Sequence, residues 1–263
     1  MGCSGWSYTS WVGNFYPVKM KPPEFLAFYS GIFDAVEIDS SFYGIPEASR
    51  VISWKKASRE GFYFCPKVPG EITHENYLSN SKPIFQRFLE NMQSLGDKLG
   101  PILLQLPPKF KYEFGIENFI DFIEDIPQKT KLAIEFRDQS WFRESVYRVM
   151  RDHEYIMVWS ESPFVKTVAP ITSGDVYLRL VGDRNLPEDK FGKILRSKDE
   201  EIQNWAARIK NVGDDVERIF IFANNHFQGF APGTINALRK AFGLNEVQFV
   251  ADSSPGSKQR KLF

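Results

Sequence analysis

The sequence is poor in the residues that build disulfide scaffolds and metal centres. Its 263 residues include two cysteines, Cys3 and Cys65, and three histidines, His74, His153 and His226. Two cysteines cannot form a disulfide framework, and their scarcity suggests a reducing compartment. No Cys-x-x-Cys or His-x-His pair supplies metal-ligand spacing, so neither a metal nor another cofactor is expected. Net charge is lacking too, with 33 Lys and Arg against 33 Asp and Glu. That balance weighs against a dedicated nucleic-acid or membrane-surface binder, which carries a basic excess. No apolar run reaches the ~18 residues of a membrane helix, and no charged-then-apolar leader precedes the first motif. The expectation is a soluble cytoplasmic protein. The Gly-x-Ser-x-Gly elbow of a hydrolase triad is also missing. So is a dinucleotide loop, because Gly2-Cys3-Ser4-Gly5-Trp6 lacks the third glycine and a helix directly after it.

What is abundant is aromatic. The 24 Phe, 10 Tyr and 6 Trp need a sizeable core to bury them. Short apolar runs at 2–6, 35–40, 62–67, 102–106, 132–136, 155–160, 176–180 and 219–223 read as eight strands. Between them lie helical stripes. Phe85, Phe88, Leu89, Met92 and Leu95 keep the spacing of one buried helix face, with Gly96 as a stop. Ile202, Trp205, Ala206 and Ile209 form a second stripe, and Ile116, Phe119, Ile120 and Ile123 a third. Segments 51–54, 141–149 and 232–242 give weaker ones. Segment 161–174, with two prolines and no stripe, reads as loop where a sixth helix should be.

Strands alternating with helices make an α/β protein with parallel strands. Eight such units in about 250 residues have the size of a TIM (β/α)8 barrel. An open doubly wound sheet is the alternative, and it lacks its Gly-rich loop. Residues 1–252 are expected to form one barrel domain, followed by a polar, basic tail at 253–263.

Strand side chains in a barrel alternate between the lumen and the helix layer. If Val36 and Ile38 face the helices, Glu37 and Asp39 point inward. The same parity turns Cys65 and Lys67, then Gln105, then Ala133, Glu135 and Arg137, then Tyr177 and Arg179 into the lumen. Small inner residues come first and charged ones last, so the charges gather at the C-terminal mouth, where barrel enzymes keep their sites. The three acids Glu37, Asp39 and Glu135 and the three bases Lys67, Arg137 and Arg179 must pair with one another or with a ligand, because unpaired buried charge costs several kcal/mol. Such a set can also be a self-satisfied network that fills the lumen. Convergence of five strands on one end favours a site.

Other residues add to the picture. His74, after Thr73 beyond the third strand, could be a general acid or base, or a loop histidine bonding backbone. His226 follows Asn224-Asn225 at the end of the eighth strand, a polar contact for a ligand. His153 ends a helix, where a cation is favoured, and reads as structural. Trp6, Tyr8, Trp11 and Tyr16 could stack on a sugar or base, although packing under the mouth accounts for most of them.

Several of these residues form recognisable motifs. Gly5-Trp6-Ser7-Tyr8 with Trp11 and Phe15-Tyr16-Pro17, then Val36-Glu37-Ile38-Asp39-Ser40-Ser41-Phe42-Tyr43, resemble the opening motifs of the YecE-like family, a domain of unknown function numbered 72. The likeness continues through Lys67-Val68-Pro69 with Thr73-His74, Leu104-Gln105-Leu106-Pro107-Pro108, Glu135-Phe136-Arg137 with Trp141, Tyr177-Leu178-Arg179 and Asn224-Asn225. The resemblance implies a TIM-barrel fold and no established activity. The family carries Arg-x-His-Gly after the seventh strand, where this chain reads Arg179-Leu180-Val181-Gly182. If that histidine is catalytic elsewhere, this chain either lacks the activity or uses His74 or His226.

The residues thus point first to an enzyme acting on a polar or anionic small molecule at the barrel mouth. Glu37 or Glu135 would be general acid or base, Lys67 an electrostatic partner and His74 a further proton carrier, with Arg137 and Arg179 as anion clamps. Asp39, Tyr43, Gln105, Asn224, Asn225 and Trp6 would contact the ligand. A hydrolase or lyase-type acid–base reaction suits this set, and the two glutamates could also form a glycosidase pair. A Schiff base on Lys67 would need a depressed pKa, whereas nearby acids should raise it. A nucleic-acid-binding or metal-dependent endonuclease-like barrel is the alternative by fold analogy, weakened by neutral charge and few histidines. A non-catalytic ligand-binding protein would share every site residue.

Overall fold

The computed structural model describes residues 1–249, so the basic stretch at 253–263 lies outside the described residues. Its strands are β1 (Gly2–Ser4), β2 (Ala35–Ile38), β3 (Tyr63–Pro66), β4 (Ile102–Gln105), β5 (Leu132–Glu135), β6 (Ile156–Met157), β7 (Trp159–Glu161), β8 (Asp175–Leu180) and β9 (Arg218–Ala223). The helices are α1 (Phe25–Ile32), α2 (Ala48–Ala57), α3 (Lys82–Gln93), α4 (Tyr112–Glu124), α5 (Glu144–Asp152), α6 (Asp199–Lys210), α7 (Asn225–Gln228) and α8 (Ala231–Ala241). All strand pairings are parallel, which makes this an α/β fold. Among the described residues no helix is long and apolar enough to cross a membrane.

The strands form two sheets, in the orders β3-β2-β1-β9-β8-β7 and β4-β5-β6. This differs from the one continuous sheet that eight strands suggest, and the reason lies in the run at 155–160. Ile156 and Met157 pair with Ala133 and Ile134 of β5, whereas Trp159, Ser160 and Glu161 pair with Leu178, Arg179 and Leu180 of β8. Val158 still donates its N–H to the Ile134 carbonyl at 2.9 Å. One apolar run therefore serves both sheets by changing neighbours at Val158, which makes two strands of an expected one. Between β3 and β4 there are isolated bridges, Phe64 to Leu99 and Lys67 to Leu103. The segment between β7 and β8 holds no helix, as its two prolines suggest.

Two apolar layers follow from strand alternation. On one side Val36, Ile38, Phe64, Leu104, Ile134, Leu178 and Ile221 pack on the helices, which present the stripes read from the sequence: Phe85, Phe88, Leu89 and Met92 of α3, Phe119 and Ile123 of α4, and Ile202 and Trp205 of α6, where Ala206 is buried too. On the other side Ala35, Cys65, Leu103, Ala133, Ile156, Val158, Tyr177, Phe220 and Phe222 form a separate buried cluster drawn from both sheets. Two residues further along six of those strands or their immediate extensions stand Glu37, Lys67, Gln105, Glu135, Ser160 and Arg179. An apolar floor thus lies directly beneath a polar layer, and the polar layer marks the C-terminal strand ends.

Candidate functional site

Arg179 of β8 organises that layer. Its Nε donates to Glu37 Oε2 at 2.8 Å and its Nη2 to Glu37 Oε1 at 2.6 Å, while Nη1 donates to Glu135 Oε2. Glu37 also accepts from Ser4 Oγ at 2.8 Å and from the Tyr177 hydroxyl at 2.9 Å. Glu135 accepts from Gln105 Nε2 at 2.7 Å, Arg137 Nε at 3.1 Å and Ser160 Oγ at 3.2 Å. Both carboxylates are buried, and each is surrounded by donors, which is what makes buried charge tolerable. Burial by itself would raise Glu135, but Arg137, Arg179 and Gln105 overcome it and hold the carboxyl well below its usual range. Burial would likewise lower Arg179, yet Glu135 and Glu37 carry it well above its ordinary value.

One sequence expectation is corrected here. Arg179 is not a free clamp, since Glu37 and Glu135 occupy all three of its nitrogens. Glu135 pairs with Arg137 and Arg179 and forms no ion pair with Lys67. Lys67, only 6% exposed, instead rests its Nζ on the Phe42 ring, 4.0 Å from the centroid. Among the described residues neither Lys67 Nζ nor the terminal nitrogens of Arg137 has a hydrogen-bonding or ion-pairing partner. They are not sealed in, however: the described polar side-chain atoms both sealed and unpartnered all belong to Asn225, His226 and Gln228 of α7. The Arg137 guanidinium lies 4.8 Å from the Phe164 ring, in the loop after β7.

The titration of this group also departs from expectation. Burial pulls the Lys67 ammonium down to about 8; Asp39 resists, while Arg179 and Arg137 add to the fall. The neighbouring acids therefore fail to raise it. Burial and the adjacent Glu37 push Asp39 up, with Lys67 and Arg179 opposing. Asp39 is 29% exposed at its side chain and 4.0 Å from Arg179. His74, on the turn Glu71–Glu75, receives or gives a 2.8 Å hydrogen bond at Nδ1 to Thr73 Oγ1 and meets the Phe42 ring edge-on at 4.9 Å. Burial, Lys67 and Arg137 lower it to about 4, so its imidazole is neutral at pH 7.

A cleft of about 820 Å³ opens beside Asp39. Trp6, Tyr43 and Asn224 line it, as do Tyr8, Arg184, Glu188 and His226. Tyr43 is 85% exposed, whereas Trp11 and Tyr16 are fully buried and belong to the core. Asn224 caps α7 by accepting the His226 N–H at 3.0 Å. Asn225 is turned inward, accepting from Trp11 Nε1 at 3.1 Å and from the Ala231 N–H at 3.0 Å, so it does not join the cleft. Gln105 also stays in the buried network. Sequence reasoning missed Arg184 and Glu188, which sit in a loop with no periodic pattern; Glu188 stands 3.5 Å from His226 Nε2. Ser4 and Ser160, likewise missed, share the inward parity of their strands, a signal that was there to be read. At the opposite strand ends a second cleft of about 730 Å³ is lined in part by Lys131 and Arg218. Both of those cations are paired with buried Asp175.

Comparison with known proteins supplies relatives. A solved structure of a DUF72 family protein from Thermotoga maritima superposes with a TM-score of 0.75 and 28% identity, covering 92% of this chain and 96% of its own. A DUF72 family protein from Enterococcus faecalis gives a TM-score of 0.68 at 23% identity, over 84% of this chain and 94% of its own. The UPF0759 protein YunF of Bacillus subtilis is 24% identical over 88% of this chain and 90% of its length. The UPF0759 protein YecE of Escherichia coli is 26% identical over 54% of this chain, a match spanning 49% of that relative. The family model described as "Protein of unknown function DUF72" matches residues 1–259. On that match across nearly its entire length, the chain belongs to the DUF72 family.

Proposed function

We propose that the chain is an enzyme that binds a polar, anionic small molecule at the C-terminal ends of its strands, within an eight-stranded barrel whose two arcs are the two sheets. The barrel reading is supported by the inner apolar cluster drawn from both sheets, by the Lys67–Leu103 bridge and by the run at 155–160 that pairs on both sides.

One observation carries the ligand reading. Lys67 and Arg137 are nearly buried cations with donors to spare, beside an Arg179 that is already satisfied. For Lys67, which has no acceptor among the described residues, near burial costs several kcal/mol; Arg137 is paired through Nε with Glu135 and keeps its terminal nitrogens unpartnered. The oxygens of a phosphate, sulfate or carboxylate would recover that cost, and the planar Arg fork matches them bidentately. The acid–base roles expected of Glu37 and Glu135 pass to Asp39 and Lys67. Both glutamates are wrapped in donors, whereas Asp39 borders the cleft and keeps its proton more readily than an ordinary carboxyl. His74 stands beside them as a neutral imidazole.

A thermal-shift titration with inorganic phosphate and a panel of phosphorylated and carboxylated metabolites tests the reading. The wild type should be stabilised by some members of the panel. Lys67→Met and Arg137→Met should lose that response, and Arg218→Met, at the other strand ends, should keep it. A response shared equally by all four proteins, or absent from the wild type, overturns the proposal.

A further inference from the structure

We infer that Lys67 forms a covalent imine with its ligand, and that the ligand is therefore an anion carrying a ketone or aldehyde, of the 2-oxo acid or open-chain sugar phosphate class. The inference rests on the anion site proposed above and adds to it the bond that is made there.

The geometry of Lys67 carries it. A buried lysine with a purely structural role has its ammonium satisfied by acceptors; Lys98 shows the pattern, with Nζ donating to the Lys55 carbonyl, the Ser58 carbonyl and the Ser58 hydroxyl at 2.7–2.9 Å. Lys67 has none of this. Its amine lies on an aromatic face, at the end of a strand, with two guanidinium groups near enough to oppose its charge. The Phe42 ring attracts the ammonium form, whereas burial favours the neutral amine. An amine titrating at about 8 is unprotonated in about one molecule in ten at pH 7, against about one in 2,500 for an ordinary lysine. Desolvation of this kind is how a lysine becomes a nucleophile.

The chemistry needs only the ligand carbonyl, Lys67 and Asp39. In the proton arrangement that leaves Nζ neutral and Asp39 protonated, towards which burial shifts both groups, the Nζ lone pair attacks the carbonyl carbon and the carbonyl oxygen takes the Asp39 proton. The nitrogen, now bearing an extra proton, returns one to Asp39, which leaves a neutral carbinolamine. Asp39 then protonates the hydroxyl, water departs, and the nitrogen lone pair closes the C=N bond. The product is a protonated imine beside the Asp39 carboxylate, one water having been released and one proton transferred. Arg137 is left to hold the anionic end of the ligand.

The test treats the intact protein at pH 7 with pyridoxal 5′-phosphate or pyruvate, followed by borohydride, which reduces an imine to a stable secondary amine. Peptide mass spectrometry then reads the occupancy of each lysine, so the exposed lysines of the same chain are internal controls. Lys67 should be labelled at least about tenfold more than Lys19 or Lys193, a factor that allows for the lower intrinsic reactivity of a less basic amine. Excess inorganic phosphate should suppress that labelling. If phosphate stabilises the protein but Lys67 is labelled no more than the exposed lysines, the imine is wrong and the anion site stands. If phosphate neither stabilises the protein nor protects Lys67, the anion site itself is wrong.

Discussion

Arg179 and Glu37, 142 residues apart in the chain, meet in a two-pronged contact, Nε to Oε2 at 2.8 Å and Nη2 to Oε1 at 2.6 Å. With the third nitrogen on Glu135, one guanidinium ties β8 to both sheets. This relationship turns a residue that looks like a ligand clamp into a scaffold, and it shifts the exposed chemistry to its neighbours.

Arg179→Met should therefore act on stability before function. Removing the guanidinium leaves two buried carboxylates, Glu37 with only hydroxyl donors, and the loss should be about 3–5 kcal/mol in urea unfolding. Arg179→Lys should recover only part of it because the fork is gone. A loss under about 1 kcal/mol would mean that the network contributes little.

Acid sensitivity should trace to Glu135. Its carboxyl is held well below the usual range in the folded protein, so its contribution to stability is complete above the unfolded value of about 4 and fades as pH falls below it. Glu135→Gln should be less stable at pH 7 and should show a flatter decline between about pH 4 and pH 2. Parallel acid limbs for the two proteins would contradict this account.

Lys67 predicts a second rise of stability with pH, in the alkaline range. A folded value of about 8 against about 10.4 unfolded means that the unfolded chain binds more protons between these limits, so stability from this group rises with pH across them. Lys67→Met, which keeps the stem and removes the charge, should melt higher than wild type at pH 7, with the gap closing towards pH 10. Asp39→Asn should likewise stabilise the protein at pH 7 and not at pH 3, because a raised carboxyl value penalises the folded state above the ordinary carboxylate range. Lys67→Met should lose the phosphate response as it gains stability, the trade expected of a group held for function.

Gly182, just after β8, holds φ at +78°, and a Cβ there would stand 2.3 Å from the His226 carbonyl oxygen. The obstacle is backbone, which cannot swing aside. Gly182→Ala should cost on the order of 2–3 kcal/mol and should disturb the cleft wall formed by His226. Unchanged melting would show that this loop and α7 yield easily.

Period-two alternation made the inward set legible in the sequence, since Glu37, Lys67, Glu135 and Arg179 are each separated from a small or apolar inner residue by two positions. The helices with one clean stripe, α3 and α6, were equally readable. Phe25–Ile32 was not, because its apolar residues surround the helix and leave no polar face to mark a period. The pairing within the site was hidden for a different reason. Parity says that side chains share an interior, but which acid meets which base depends on side-chain reach across strands far apart in sequence, and so Glu135 went to Arg137 and Arg179 instead of Lys67. Loop residues such as Arg184, with φ at +60°, obey no period and had no signal.

The central claim is that an anion sits between Lys67 and Arg137 at the C-terminal strand ends. A crystal soaked in tungstate, whose anomalous scattering locates a phosphate-like ion without ambiguity, tests it most directly. The account predicts a peak within hydrogen-bond distance of Lys67 Nζ and the terminal nitrogens of Arg137, with Arg179 still bound to Glu37 and Glu135. A peak only at Lys131 and Arg218 on the opposite strand ends, or none at Lys67 and Arg137, would contradict it.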